Sequence, residues 1–352
     1  MSPQKLTIPR PDDWHVHLRD GEMLKAVLPF TAKVFARAIV MPNLKPPVTT
    51  AARARAYRDE IMKALPKGAS FTPLMTIYLT DTSDAEDLAQ GHKDGVITAA
   101  KLYPAYATTN AEHGVTDVKK IYPVFERMQK IGMPLLVHGE DASPETDVFD
   151  REAVFVEKTL TPLRRDFPAL KIVFEHITTK EAADYVAAEG GKGTLAATIT
   201  AHHLHINRNA MFEGGIRPHY YCLPVAKRET HREALVKAAT SGGKMFFLGT
   251  DTAPHPKTAK ESTCGCAGIF SAPNAIGLYA QIFEEAGKLA ALEGFASRFG
   301  PAFYGLPVNK DMITLEKLPA ATGDIKPILT GDGAEIVSFH VRSPLLWRVT
   351  GV

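Results

Sequence analysis

The sequence predicts an α/β protein whose parallel strands close into a (β/α)₈ TIM barrel. Eight short apolar or β-branched segments recur along the chain, amphipathic segments separate them, and polar residues end six of the eight. Strands that are apolar almost throughout and alternate with helices are typical of a parallel sheet that is buried on both faces. Eight such units favour a closed barrel. A doubly wound open sheet is the alternative, but no glycine-rich dinucleotide turn follows the first strand.

The predicted strands span residues 14–20, 36–43, 71–80, 95–104, 133–140, 171–178, 193–200 and 244–251. Between the fourth and fifth strands, apolar residues fall at helical spacing, and Gly132 stands where a helix C-cap belongs. A second helical segment, "THREALVKAATSGG", ends on paired glycines. No Pro- or Gly-rich linker divides the chain. We therefore expect one barrel domain over residues 1–352, with short N- and C-terminal extensions.

Composition limits the partners of this chain. Its 352 residues include 45% hydrophobic and 23% charged residues, and the formal net charge is +2. This balance gives no general attraction to nucleic acid or to a membrane surface, so we expect neither as a partner. The start has no signal-peptide pattern, and no segment is long enough to span a membrane. Three cysteines favour a reducing cytoplasm over a disulfide framework.

The polar strand ends suggest a metal site, because barrel active sites form at the C-terminal ends of the strands. His15 and His17, two residues apart in a strand, can face the same side and bind one ion. Taken alone, this pair reads more readily as two hydrogen-bonded structural histidines. His138, His176 and Asp251 end three further strands and complete the ligand set of a zinc site with open positions for water.

Lys101 ends the fourth strand, where its ammonium group would repel a metal cation. One interpretation is that it extends to solvent or pairs with a carboxylate. The other is that its amine is deprotonated and has added carbon dioxide, giving an anionic carbamate able to bridge two metals. Burial and nearby cations favour the free amine. The residue pattern leaves both interpretations open.

Several motifs, in order along nearly the whole chain, resemble the amidohydrolase superfamily and, more narrowly, the short bacterial class II dihydroorotase family. They are "HVHLRDG", "MPN", "KLYPAYATTN", "LLVHGE", "FEHITT", "RPHYYCLPVAKR", "GTDTAPH" and "FSAPNA". Many superfamily members carry an additional β-sandwich domain built partly from residues before the barrel. The first predicted strand begins near the start of this chain, so we expect no such domain.

The resemblance implies two Zn²⁺ ions per subunit. One is held by residues that match His15, His17 and Asp251, and the other by those that match His138 and His176. An N6-carboxylysine at Lys101 and a hydroxide bridge the two ions. Two dications against a carboxylate, a carbamate and a hydroxide leave about one positive charge, enough to polarise a carbonyl and to keep the bridging water ionised.

The implied activity is the reversible cyclisation of N-carbamoyl-L-aspartate to L-dihydroorotate in pyrimidine biosynthesis, with Asp251 as general acid and base. Arg19 is expected to bind the substrate carboxylate through its guanidinium fork, although a salt bridge with Asp20 or Asp12 explains it equally well from the sequence alone. The other implied substrate-binding residues are Asn43, His255, Thr108 and Thr109 of a closing loop, and backbone groups of Leu223 and Ala267. Members of the family are commonly homodimers.

Two alternative functions stay open. Hydantoinases and allantoinases share the metal centre, so the ligands cannot distinguish them from a dihydroorotase. A non-enzymatic structural partner is disfavoured because all six ligand positions carry the expected residues. "TAHHLHINRN" (residues 200–209) adds three further histidines, for which metal binding is the less favoured interpretation, as it is for Cys264 and Cys266.

Overall fold

The computed structural model describes residues 4–320, 326–339 and 344–351. The chain begins with strand β1 (Lys5–Pro9) and then forms eight parallel strands that pair in sequential order. They are β2 (Asp13–Val16), β3 (Arg37–Val40), β4 (Thr72–Tyr78), β5 (Ala99–Leu102), β6 (Leu135–Val137), β7 (Ile172–Phe174), β8 (Leu195–Ile199) and β9 (Phe246–Leu248). The eight predicted strands are all confirmed, and each of them ends earlier than expected.

The cylinder closes where β2 meets the segment after β9. Val16 and Thr252 form a parallel bridge, and the backbone N–H of His17 donates to Thr252 O at 2.9 Å. The N–H of Asp251 donates to His15 O, also at 2.9 Å. The predicted (β/α)₈ barrel is therefore confirmed, and its seam is made by the segments that carry His15, His17 and Asp251.

Helices follow the barrel strands and cover their outer faces. Thr50 and Thr179 each begin a helix by accepting a hydrogen bond from a free backbone N–H of its first turn. Gly132 ends another at φ 71°, as predicted. The helices are α1 (Gly21–Val34), α2 (Ala51–Ala64), α3 (Ala85–Lys93), α4 (Tyr122–Ile131), α5 (Arg151–Phe155), α6 (Thr161–Asp166), α7 (Lys180–Glu189), α8 (Ala201–His205), α9 (Glu229–Thr240), α10 (Lys257–Lys260), α11 (Ala275–Glu285) and α12 (Phe299–Tyr304). A π-helical turn, Val156–Leu160, joins α5 to α6.

The barrel interior is a packed core at its N-terminal end. Trp14 fills this end, and its ring stacks on Tyr304 of α12 with the centroids 4.4 Å apart. The other buried members of the cluster come from β3 and β5–β9 or follow them directly: Ile39, Met41, Ala99, Leu136, Val173, Ala196 and Phe247. Because apolar side chains occupy this end, a polar site can form only at the opposite, C-terminal end.

A small antiparallel sheet was not predicted. Strand β1 pairs with β10 (Met312–Lys317), which also pairs with β13 (Trp347–Gly351), while β11 (Ile328–Leu329) pairs with β12 (Glu335–Ile336). Residues near the start of the chain therefore form a strand rather than an irregular extension. Its partner lies some three hundred residues away, from Lys5 opposite Glu316 to Pro9 opposite Met312. Among the described residues, no helix combines the length and apolarity needed to cross a bilayer.

Candidate active site

The predicted metal ligands converge at the C-terminal mouth of the barrel. His15 Nε2 lies 3.2 Å from His17 Nε2, and these two nitrogens lie 3.2 and 3.1 Å from Asp251 Oδ1. The ring centroid of His176 is 4.9 Å from that of His15 and 4.9 Å from that of His138. His15, His17 and Asp251 place one donor atom each within 4.8 Å of one another, and so do His15, Glu175 and His176.

Strand alternation explains how two of these side chains enter the mouth. Ala99 and Leu136 belong to the interior core, and the residues two positions further on are Lys101 and His138. Residues i and i+2 of a strand share a face, so both side chains continue the interior row toward the mouth. In β2 the interior residue is Trp14, but the register shifts between Asp13 and Val16, so that His15 and His17 turn inward while Val16 packs outside.

Three site residues have left-handed backbone conformations that side chains with a Cβ rarely adopt. Arg19 has φ 58°, His176 φ 43° and Asp251 φ 45°. Each lies two or three residues past the end of a barrel strand, where the chain turns and aims the side chain into the mouth. Such strain costs of order 1–3 kcal/mol per residue and persists only where neighbours hold it. Here the N–H of His176 donates to Thr198 Oγ1 at 2.7 Å.

Burial sets the charge states of the cluster. Desolvation lowers the pKa of the His15, His17, His138 and His176 imidazoles, that of His17 to about 3, so these rings are neutral near pH 7. Desolvation opposes the ionisation of Asp251, but the adjacent imidazoles outweigh it and hold the pKa of this carboxyl well below its usual value. Neutral imidazoles around one carboxylate are the donor set of a zinc site.

Hydrogen-bond partners orient two of the four imidazoles, those of His17 and His138. His17 Nδ1 lies 2.9 Å from Asn43 Oδ1, and His15 Nδ1 lies 3.1 Å from Glu175 Oε1. The contact at His17 is a hydrogen bond, whereas His15 Nδ1 and Glu175 Oε1 lie close together without a hydrogen bond between them. His138 Nε2 lies 2.8 Å from Glu140 Oε2. A ring nitrogen fixed in this way leaves the other with its lone pair toward a metal.

Lys101 lies directly beneath the ligands. Its side chain has no exposed surface, and its Nζ is in very close contact with Glu175 Oε2 and 4.9 Å from the Tyr103 ring centroid. Desolvation lowers the pKa of this amine well below its usual value, against the opposing effect of Asp251. The structure therefore excludes the solvent-extended interpretation of Lys101. The contact with Glu175 corresponds to the carboxylate pairing that the sequence left open.

Except for Lys101 and His255, the predicted site residues all line one small cavity. His255 lies beside it, with Nε2 3.1 Å from the Arg19 guanidinium and 3.0 Å from Ala267 O. Arg19 also donates to Pro254 O at 3.1 Å. The described residues provide no carboxylate ion-pair partner for Arg19, and Asp12 instead pairs with Arg37 at 2.6 Å. The guanidinium therefore remains available to an anionic ligand at the mouth.

The loop after β5 covers one side of the cavity. Thr108 and Thr109 line it, and Thr109 Oγ1 donates to Ala267 O at 3.3 Å. Asn43 Nδ2 donates to Thr109 O at 3.3 Å, and Asn110 Nδ2 donates to Asn43 O at 3.0 Å. The loop is thus hydrogen-bonded to Asn43 on one side of the site and to Ala267 on the other. Tyr106, bulky and 77% exposed, points away from it at φ 64°.

Sequence reasoning missed two buried carboxylates next to the ligands, Glu140 and Glu175. Alternation from the interior residue Val173 reaches Glu175, not His176, so Glu175 occupies the inward position and His176 enters only through its left-handed turn. An acidic residue in the apolar segment "KIVFEH" was the available signal, since a buried carboxylate must be paired.

A separate buried cluster consists of His202, His203 and Cys222. Both ring nitrogens of His203 already have partners, Thr200 Oγ1 at 2.8 Å and Pro224 O at 3.0 Å. This pattern is typical of a structural histidine for His203, whereas both ring nitrogens of His202 are buried without a hydrogen-bond partner. Cys264 is exposed and Cys266 partly exposed, and neither forms a disulfide.

Comparisons with known proteins show the family of this chain. The amidohydrolase family model matches residues 12–319. A dihydroorotase of Novosphingobium aromaticivorans is 60% identical over 346 residues, covering 98% of this chain and 99% of the relative. One of Sphingopyxis alaskensis is 62% identical over 349 residues, with 98% and 99% covered.

Solved structures extend the match to the fold. Dihydroorotase of Saccharomyces cerevisiae in complex with 5-fluoroorotic acid superposes with a TM-score of 0.90 at 34% identity, covering 99% of each chain. The Campylobacter jejuni enzyme gives 0.85 at 34% identity, with 99% of this chain and 98% of that chain covered. An L-hydantoinase of Arthrobacter aurescens, at 14% identity and a TM-score of 0.78, shares the fold over 99% of this chain and 82% of its own. The chain therefore belongs to the amidohydrolase family and, within it, to the dihydroorotases of the short bacterial kind.

Proposed function

We propose that this protein catalyses the reversible cyclisation of N-carbamoyl-L-aspartate to L-dihydroorotate, a step of pyrimidine biosynthesis, at a centre of two zinc ions. One observation carries the proposal: a convergent imidazole and carboxylate cluster shares a cavity with a guanidinium that has no carboxylate partner among the described residues. A metal-activated amide hydrolase that selects an anionic substrate needs both. Relatives named dihydroorotase at about 60% identity support the choice of substrate.

The donor atoms fit a metal. His15 Nε2, His17 Nε2 and Asp251 Oδ1 lie within 3.2 Å of one another, so that three atoms able to bind a cation converge on one point. His176 Nδ1 is buried without a hydrogen-bond partner. His15, His17 and Asp251 would hold one zinc ion, and His138 and His176 a second. When bound, the ions would supply Lewis acidity toward the ring carbonyl and would lower the pKa of a bound water.

An N6-carboxylysine at Lys101 would bridge the two ions. Burial of Lys101 keeps its amine unprotonated, which is the form that adds carbon dioxide. The reaction converts this neutral amine into an anion with two oxygens beneath the proposed ligands, and so places negative charge where a protonated lysine would have repelled a metal. Glu175 then remains as an acceptor for the N–H of the carbamate and as the partner of His15.

Asp251 is the proposed proton carrier. Its low pKa keeps it ionised at neutral pH, so it can accept the proton of the attacking water as the ring amide is cleaved. The same oxygen pair then delivers that proton to the ring nitrogen as the C–N bond breaks. In the cyclising direction Asp251 takes the proton from the carbamoyl nitrogen as the ring closes.

Arg19 would bind the carboxylate of the substrate, assisted by Asn43 and His255. Burial lowers the pKa of His255 to about 2 and keeps its ring neutral. The ring would therefore assist as a hydrogen-bond donor to the substrate carboxylate, while Arg19 supplies the positive charge. Backbone groups of Leu223 and Ala267 would read the ring edge. The loop carrying Thr108 and Thr109 would close over the bound ring and exclude water.

The test is an assay of the zinc-loaded protein with L-dihydroorotate and hydantoin side by side. We expect kcat/KM to favour dihydroorotate strongly, and His176→Ala to abolish turnover while the circular dichroism spectrum stays that of the wild type. Preference for hydantoin would refute the substrate assignment. Full activity in His176→Ala would refute the two-metal site.

We also propose a cytoplasmic homodimer in which the whole chain forms one domain. Three free cysteines suit a reducing compartment. Phe212 and Ile216, 59% and 83% exposed on one loop, give a second copy apolar surface to cover. Light scattering after size-exclusion chromatography would give the mass of the assembly, and a monomeric mass would contradict the proposal.

A further inference from the structure

Lys260, at the end of the short helix α10, is buried outside the ligand clusters. Only 4% of it is exposed. Its Nζ donates to Tyr221 O at 2.8 Å, to Cys266 O at 2.8 Å and to Gly268 O at 2.7 Å. The three N–H groups of the ammonium are therefore all used on backbone carbonyls. None of the described residues provides it with a carboxylate partner, so neutralising a buried acid is not its role.

These three carbonyls belong to the two backbone segments that border the cavity. Leu223 lies two residues after Tyr221, and Ala267 lies between Cys266 and Gly268. The N–H of Gly268 also donates to Tyr221 O at 3.1 Å, so one carbonyl joins both segments to Lys260. In a trans peptide the C=O and the following N–H point in opposite directions. Because Cys266 O turns toward Nζ, the N–H of Ala267 turns away from it.

We propose that Lys260 is a positioning residue whose ammonium group gathers these three carbonyls and thereby holds the backbone of Leu223 and Ala267 where it reads the substrate ring. The inference rests on the proposed function and deepens it, because it names what fixes the ring-reading segments. Lys260 itself does not line the cavity. Its effect reaches the substrate through the two backbone segments.

The same backbone also supports the carboxylate end of the site. Ala267 O accepts from Thr109 Oγ1 at 3.3 Å and lies 3.0 Å from His255 Nε2, which in turn lies 3.1 Å from the Arg19 guanidinium. Loss of the Lys260 bonds would release Ala267 and with it a shared acceptor of the covering loop and of His255. Binding should therefore suffer more than the chemistry at the metal ligands, which lie on other segments.

The experiment compares Lys260→Met with Lys257→Met, a partly exposed lysine of the same helix that pairs with Glu335. Losing positioned hydrogen bonds of this kind should raise KM roughly 10–100-fold, which corresponds to about 1.4–2.8 kcal/mol. We expect that rise in Lys260→Met, with kcat within about threefold of wild type by the same reasoning. Zinc content should stay at the wild-type value in both variants, and Lys257→Met should keep the wild-type KM. Lys260→Arg, which keeps charge and donors, should recover most of the lost affinity.

An unchanged KM in a folded Lys260→Met variant would overturn the inference, as would a loss of zinc with an unchanged KM. Inactivity of the wild type on dihydroorotate would instead overturn the proposed function. In that case, binding of 5-fluoroorotate, measured by calorimetry on the same variants, still tests the positioning role: weaker binding in Lys260→Met supports it and equal binding refutes it.

A pH series covers the case in which Lys260→Met fails to fold. Burial lowers the pKa of Lys260 to about 8, so above this pH the amine loses one of its three donors. KM of the wild type should rise above pH 8, and in Lys260→Arg it should not. A wild-type KM that stays flat from pH 7 to 9 would overturn the inference. The titratable groups around Nζ are Tyr221, Cys222, Cys266, His202 and His255. The variants Cys222→Ser and Cys266→Ser show whether ionisation of a thiol, rather than of Lys260, causes the change in KM.

Discussion

Replacing Glu152 by Gln tests how the turn that carries His176 is held. The Glu152 carboxylate is fully buried, and its Oε1 accepts from the N–H of Thr178 at 2.9 Å and from the N–H and Oγ1 of Thr179 at 2.7 and 2.6 Å. Its Oε2 accepts from the N–H and Oγ1 of Thr178, both at 2.9 Å. One side chain of α5 thus fixes the two residues that follow the turn after His176.

The amide of Glu152→Gln keeps one oxygen and presents an NH₂ group to the remaining donors. A threonine hydroxyl can rotate and accept, but a backbone N–H cannot. One or two unsatisfied buried donors cost about 2–4 kcal/mol in total. At roughly 2.1 cal/mol/K per residue, unfolding this chain carries an entropy near 0.7 kcal/mol/K, so the melting temperature should fall by about 3–5 °C. A displaced His176 should also weaken metal binding by about 10–100-fold.

Calorimetry of the zinc-loaded protein and zinc competition against a chromophoric chelator measure the two effects. Glu157→Gln is the matched control, because Glu157 is exposed on the π-helical turn that continues α5, and we expect no change there. The reasoning is refuted if Glu152→Gln has the melting temperature of the wild type and binds zinc equally well.

Three further outcomes are expected. Arg19→Lys keeps the charge but loses the planar fork, so KM for dihydroorotate should rise about 10–100-fold at unchanged zinc content; equal KM values would remove Arg19 from carboxylate binding. Thr109→Ala loses the bond to Ala267 O and should lower kcat about 3–10-fold with metal content intact; unchanged turnover would exclude a covering role for this loop. Burial raises the pKa of Asp13 to about 7. Between pH 4 and 7 the folded state therefore binds a proton at Asp13 that the unfolded state lacks. The contribution of Asp13 to the free energy of unfolding then falls by about 1.4 kcal/mol for each unit by which the pH rises. In urea titrations Asp13→Asn should therefore gain stability relative to the wild type from pH 5 to pH 8, whereas parallel pH dependences would contradict the raised pKa.

The barrel could be predicted because its determinants are local. Each strand is a short apolar segment next to an amphipathic helix, and a polar residue marks the end of most strands. The small sheet of β1, β10 and β13 could not, because Lys5–Pro9 carries too little periodicity to be recognised without its partners. Only the folded barrel brings the two ends of the chain together.

The proposed ligand positions could be predicted from residue types at strand ends, but their geometry could not. Alternation correctly directs Lys101 and His138 inward, whereas for β7 it selects Glu175 and would turn His176 outward. The left-handed conformation at His176 resolves this conflict, and a backbone dihedral of this kind leaves no mark in the sequence. Lys260 was missed for a related reason, since its partners are carbonyls, which every residue possesses.

A crystal structure of the zinc-loaded protein, with anomalous data at the zinc edge, tests the central claim most directly. We predict two anomalous peaks, one among His15, His17 and Asp251 and one beside His138 and His176, with continuous density for a carbamate from Lys101 Nζ to both. A bare Lys101 amine paired with Glu175, together with a single peak or none, would contradict the two-metal account.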